Sequence, residues 1–85
     1  MPHISKEDRN KYVTLLSEIL RTEIETKGDL EYLVYNLMKQ FMATREKRYS
    51  TYHEAVYATL HSAEEYKRLY LDKREDIAIA TNGEA

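Results

Sequence analysis

The sequence predicts an all-α fold: a helical hairpin with a third helix packed across it, then an extended C-terminal tail, in a single small domain covering residues 1–85. Three observations carry this. Apolar residues recur at helical spacing through most of the chain, three capping signals divide that pattern, and only two glycines and one proline interrupt it. The core is thin, since Leu, Ile, Val and Phe make up 18 of 85 residues, and eight tyrosines supplement them. Domains of this size bury only about 60–65% of the surface of the unfolded chain, and no cysteine is present to staple the fold. Self-association is the remaining support, so the protein is expected to be a homo-oligomer.

The first helix is expected over about 6–26. Ser5 can cap its free amides, and Asp8 falls at the positive end of its dipole. Tyr12, Val13, Leu15, Leu16, Ile19, Leu20 and Ile24 share one half of the helical wheel, opposite Lys11, Glu18, Arg21 and Glu25. Lys27-Gly28 supplies a cation and a residue tolerant of the left-handed conformation that ends helices.

Asp29 is then read as the N-cap of a second helix over about 30–47, antiparallel to the first across a short connection. Leu30, Leu33, Val34, Leu37, Met38 and Phe41 form the strongest apolar stripe in the chain, with Met42 at its margin. A third helix, over about 51–74, starts at Thr51 with Glu54 completing a capping box. Tyr52, Val56, Thr59, Ala63, Tyr66 and Tyr70 follow heptad spacing on it. Tyrosine joins an apolar ring to a polar tip, which suits a half-wet interface, so Tyr52, Val56, Tyr66 and Tyr70 are the expected interface residues. Ile77-Ala78-Ile79-Ala80 alternates before Asn82-Gly83, and residues 76–85 are expected to run extended, fraying or docking the two isoleucines in a groove.

The composition excludes several chemistries. A nucleophile elbow, a Walker loop and a dinucleotide fingerprint need glycines that Gly28 and Gly83 do not provide, and thiol chemistry needs cysteine. His61 with Glu64 or Glu65, and His53 two turns earlier, have spacing that permits a metal without diagnosing one, and such pairs arise by chance in a charge-rich helix, so they are read as solvated i, i+4 pairing. No catalytic residue, cofactor or metal is assigned, and a non-enzymatic protein is expected. A net charge of −2 without a basic stripe argues against duplex nucleic acid. The absence of a long apolar run, or of a hydrophobic core after Met1-Pro2-His3-Ile4, argues against a membrane and for the cytoplasm.

The segment of greatest functional interest is Arg45-Glu46-Lys47-Arg48-Tyr49-Ser50-Thr51-Tyr52-His53. Its cations, tyrosines and histidine converge on a helix junction, where guanidinium forks and free amides favour phosphate and a tyrosine can stack on a base. Arg45, Lys47, Arg48, Tyr49, Tyr52 and His53 are therefore the candidate ligand-binding residues, against the plainer reading of a solvated basic turn.

Four separated pieces, Met1-Pro2-His3-Ile4 with Glu7-Asp8-Arg9, Lys27-Gly28-Asp29-Leu30-Glu31-Tyr32, Glu65-Tyr66-Lys67-Arg68 and Asn82-Gly83-Glu84, give the chain a resemblance. It resembles a family of small uncharacterised proteins of phages and of some bacteria and archaea, whose members start Met-Pro-Tyr-Ile, carry Gly-Glu-Leu-Asn-Tyr centrally and end near Asn-Gly-Asp. This chain departs in having His3 and Glu31, and 39–51 lies outside the match. The resemblance implies a phage-type accessory protein of the host cytoplasm, and by analogy with small phage accessory proteins that carry no catalytic motif it is expected to act by stoichiometric binding. One expected target is a small signalling nucleotide of anti-phage defence, sequestered by the junction. The alternative is a helical interaction module that binds or blocks a host protein.

Overall fold

The computed structural model describes residues 4–82, and the regular elements among them are helices: α1 (Lys6–Asn10), α2 (Val13–Leu20), α3 (Lys27–Ala43), α4 (Tyr49–Tyr66), a π-helical turn (Lys67–Leu71) and α5 (Asp72–Asn82). No strand occurs among the described residues. The fold is all-α, as the apolar periodicity requires.

Ser5 caps the first helix as expected, its hydroxyl accepting from the Asp8 amide at 3.1 Å. The single helix expected over 6–26 is instead two short ones and a connector. The Tyr12 amide bonds three residues back to the Arg9 carbonyl at 3.0 Å, and Tyr12 sits at φ −103° and ψ 2°, between the α and extended regions. At the far end α2 stops at Leu20, because the Arg21 and Thr22 amides also bond three residues back and the Thr22 hydroxyl donates to the Glu18 carbonyl at 2.6 Å. Thr22, Ile24 and Thr26 are β-branched and do not extend the helix readily.

Asp29 is not the N-cap of α3. Thr26 takes that place: its hydroxyl accepts from the Asp29 amide at 3.0 Å, and the Asp29 carboxylate accepts from the Thr26 amide at 3.1 Å and the Glu25 amide at 3.2 Å. This reciprocal box satisfies three free donors where an aspartate N-cap would satisfy one, so the helix starts earlier and Gly28 lies inside its first turn. Hydrogen bonding by the Thr26 amide first, then by the Thr26 side chain and the Glu25 amide, holds the Asp29 carboxyl below its ordinary value. At its other end α3 finishes at Ala43 and not near 47.

Helix α4 begins at Tyr49 with Arg48 as N-cap, two residues before the expected start. Thr51 acts from the third helical position: its hydroxyl accepts from the Arg48 amide at 3.0 Å and donates to the Glu46 carbonyl at 2.6 Å. The capping box expected between Thr51 and Glu54 is thus overturned: Arg48 is the N-cap, and the Thr51 hydroxyl reaches back to the connection instead.

The main tertiary contact joins α3 to α4, so the antiparallel hairpin is made by these two and not by the first two predicted helices. Val34, Leu37, Met38 and Phe41 oppose Ala55, Ala58, Thr59 and Ser62. The face of α4 turned to α3 is thus a row of small residues, which lets the axes approach, and the buried core is Met42 and Ala55, at 7% and 5% exposure. The tyrosine seam meets this row at Thr59 and borders α3 through Tyr52 and Val56, yet Tyr52, Val56, Tyr66 and Tyr70 all remain exposed. The apolar stripe of α3 is divided in the same way, since Val34, Met38, Phe41 and Met42 turn inward while Leu30, Leu33 and Leu37 stay exposed.

After Tyr66 the chain continues as a helix. The extended tail expected from 76 is overturned for residues 76–82, which belong to α5. An Ile-Ala alternation over four residues fits a helix as well as a strand, and extending an existing helix needs no new nucleus. The rest of that tail lies outside the described residues. From Tyr49 to Asn82 the helical rod runs roughly 50 Å at 1.5 Å per residue, matching the 50 Å longest extent of the molecule.

Candidate functional site

The α3–α4 connection delivers Arg45, Lys47 and Arg48 to the carbonyl end of α3, the negative end of its dipole. Each cation takes a local partner there. The Arg45 guanidinium lies over the Phe41 ring, 3.5 Å from its centroid, and donates to the Phe41 carbonyl. Lys47 Nζ donates to the Met42 carbonyl at 3.4 Å, and Arg48 pairs with Glu46 at 2.8 Å. Their first role is closing α3 and tethering the connection.

The six candidate ligand residues therefore fall into separate groups. Lys47 and Tyr52 share a groove of about 340 Å³ between α3 and α4, whose floor is Met42, Ala55 and Val56 and whose α3 side carries Tyr35 and Lys39. Lys39 Nζ stands 5.9 Å from the centroid of the Tyr35 ring. Tyr49 and His53 belong to a different row, where the Tyr49, His53, Tyr57 and His61 rings follow one another at i, i+4. His53 and Tyr57 stack with centroids 4.1 Å apart and planes 25° apart, and Tyr49 is 85% exposed at the open end of the row. Arg45 and Arg48 line neither feature.

Tyr35, Lys39, Tyr57 and His61 are the neighbours that sequence reasoning did not assign to a site. The i, i+4 spacing of Tyr35 with Lys39, and of Tyr49 through His61, was visible in the sequence; the approach of α3 to α4 that turns the first pair toward Tyr52 was not. No group of three His, Asp or Glu side chains suited to a metal occurs among the described residues, and His61 lies beside Tyr57.

On the tyrosine seam, Tyr66 and Tyr70 lie one turn apart with ring centroids 4.6 Å apart. Ion pairs flank them. Glu65 is held down to about 2, with the Arg68 bond at 2.7 Å the largest cause, while Lys67 bonds Asp72 at 2.8 Å, which raises the Lys67 ammonium above its ordinary value. These four charges are thus paired locally beside the two rings.

Residues 1–85 match the model of the family described as Domain of unknown function (DUF6899). The chain belongs to this family. No curated protein and no solved structure gives a significant match. The DUF6899 match covers the whole sequence, so it takes in the α3–α4 groove, the aromatic row and the tyrosine seam alike. Two of the segments behind the resemblance noted above, Met1-Pro2-His3 and Gly83-Glu84, lie outside the described residues. No helix among the described residues is long and apolar enough to cross a membrane.

Proposed function

We propose that this protein is a non-enzymatic helical interaction module that binds or blocks another protein stoichiometrically, as a phage-type accessory factor in the host cytoplasm. The observation that carries this reading is the exposure of Tyr52, Tyr66 and Tyr70 along α4 and its continuation while the chain's own packing uses the small-residue row beside them. Exposed tyrosines with apolar rings, polar tips and low conformational entropy are what protein-binding surfaces favour as anchors. The test is capture from host extract by immobilised protein, followed by titration of the purified captured partner against wild type and Tyr66→Glu. Saturation at a fixed ratio, weakened at least 100-fold by the charge, supports the reading. Equal binding by the variant, or no partner that titrates, defeats it.

A second reading, sequestration of a signalling nucleotide, is supported by the groove between α3 and α4. Tyr35 and Tyr52 offer rings for a base, Lys39 and Lys47 offer charge for phosphate, and the floor is apolar. Calorimetry with linear and cyclic nucleotides tests it, with Tyr52→Ala and Lys47→Ala as the variants that should weaken binding. Absence of heat at millimolar nucleotide removes it.

A further inference from the structure

The arm formed by α1 and α2 stands largely apart from the α3–α4 pair, with no substantial helix-to-helix contact joining them. Between α2 and the first half of α3 lies a groove of about 380 Å³ walled by Leu15, Ile19, Ile24, Leu30, Leu33 and Leu37, with no charged side chain in its lining. All six are exposed, Leu37 to 58%. We propose that this groove is closed by a second copy of the same chain, aliphatic face against aliphatic face, so that the folded unit is a homo-oligomer built on the α2–α3 surface.

Area identifies the occupant. The chain exposes 8017 Å², whereas a compact monomer of its mass exposes about 5,300 Å² by the usual surface scaling. The difference, about 2,700 Å², is comparable to what each copy of an obligate homodimer buries, roughly 1,000–2,500 Å². The radius of gyration agrees: 16.5 Å against about 12 Å for a compact domain of this length. With Met42 and Ala55 as its buried core, the single chain lacks the packing an independent domain needs. Whatever completes the core must be present wherever the chain folds, and another copy of the chain always is. Chemistry agrees as well, because the uncharged groove matches an aliphatic helix face, the apolar side of α2 provides one, and a net charge of −2 opposes pairing only weakly. This inference concerns assembly and stands whichever partner the assembled protein binds.

The test combines sedimentation of the full chain with thiol labelling. Wild type is expected to sediment as a dimer or larger at low micromolar concentration with a concentration-dependent melting temperature, and Ile19→Lys or Leu37→Lys should raise the dissociation constant at least 100-fold. A folded wild-type monomer at 100 micromolar, or lysine variants that assemble as tightly as wild type, would overturn the proposal. Since a lysine variant can fail to fold, a milder pair reports on the face itself. The chain has no cysteine, so Leu37→Cys and Lys27→Cys each carry one reactive thiol. In the assembly the thiol at 37 should react at least 10-fold more slowly than the one at 27, and dilution to monomer should abolish the difference. Equal rates in a fully assembled sample mean that another face is used and the proposal is wrong.

Discussion

Lys67 Nζ lies 2.8 Å from Asp72 Oδ1, five residues on in the sequence, a separation that an ordinary α-helix does not align and the π turn over Lys67–Leu71 does. The turn holds one more residue than an α-helical turn, so α5 leaves it rotated relative to the line of α4. The same turn holds Tyr70, so it helps set how the seam is presented.

Deleting Leu71 should convert Tyr49–Asn82 into one regular α-helix. Far-UV circular dichroism is expected to keep its helical signal, while Hα-to-amide NOE connectivities change from i, i+5 to i, i+4 spacing around residue 67. A loss of helix would mean that the extra residue is required for the rod to form.

Gly28→Ala should stabilise the protein by about 0.5–1 kcal/mol. A glycine ending a helix in the left-handed conformation would make this change harmful, but Gly28 lies inside the first turn of α3 and an added Cβ meets nothing closer than the Thr26 hydroxyl at 3.7 Å. Urea denaturation decides the sign. Thr26→Ala, which removes the cap itself, is expected to cost about 1 kcal/mol in the same assay.

The carboxyls of Asp29 and Glu65 are both held below their ordinary values in the folded chain, Glu65 from 4.5 to about 2. For a depressed acid the unfolded state binds the proton more readily, so the stabilisation is present above the unfolded value and is lost as pH falls through the folded one. Stability should therefore decline between about pH 4.5 and 2. Denaturation midpoints measured across that window should fall less steeply in Glu65→Gln. An unchanged slope would show that the Arg68 bond carries none of the dependence.

Met42→Ala should cost about 2 kcal/mol, the low end for a buried methionine, because Met42 also borders an open groove and part of its volume already faces water. Ala55→Leu is expected to be comparably damaging, at about 1–3 kcal/mol, since its extra atoms enter the row of small residues that lets α3 and α4 approach. If the leucine variant melts like wild type, the two helices are not packed through that row.

Local chemistry was the most legible part of the chain. The Ser5 cap, the apolar stripe of α3 and the hydroxyl of Thr51 near a helix start all follow from residues within four positions of one another. The candidate site was legible only as a list. Arg45, Lys47 and Arg48 look alike in sequence, yet an aromatic ring, a helix-end carbonyl and a neighbouring glutamate take one each, because those partners are fixed by how the connection folds.

The sequence by itself determined that this protein is helical, where apolar faces run along its helices, and that its core is thin, since periodicity and composition are properties of neighbouring residues. Tertiary structure alone decided which helices pair. Ala55 and Thr59 turn toward α3 and Tyr52 borders the groove beside them, while Tyr66 and Tyr70 line no groove with α3, and Leu30, Leu33 and Leu37 are left facing an open groove. Several faces of this chain are apolar enough to pack, and the choice between them is made by how closely two backbones can approach, a property of pairs of helices that no single stretch of sequence contains.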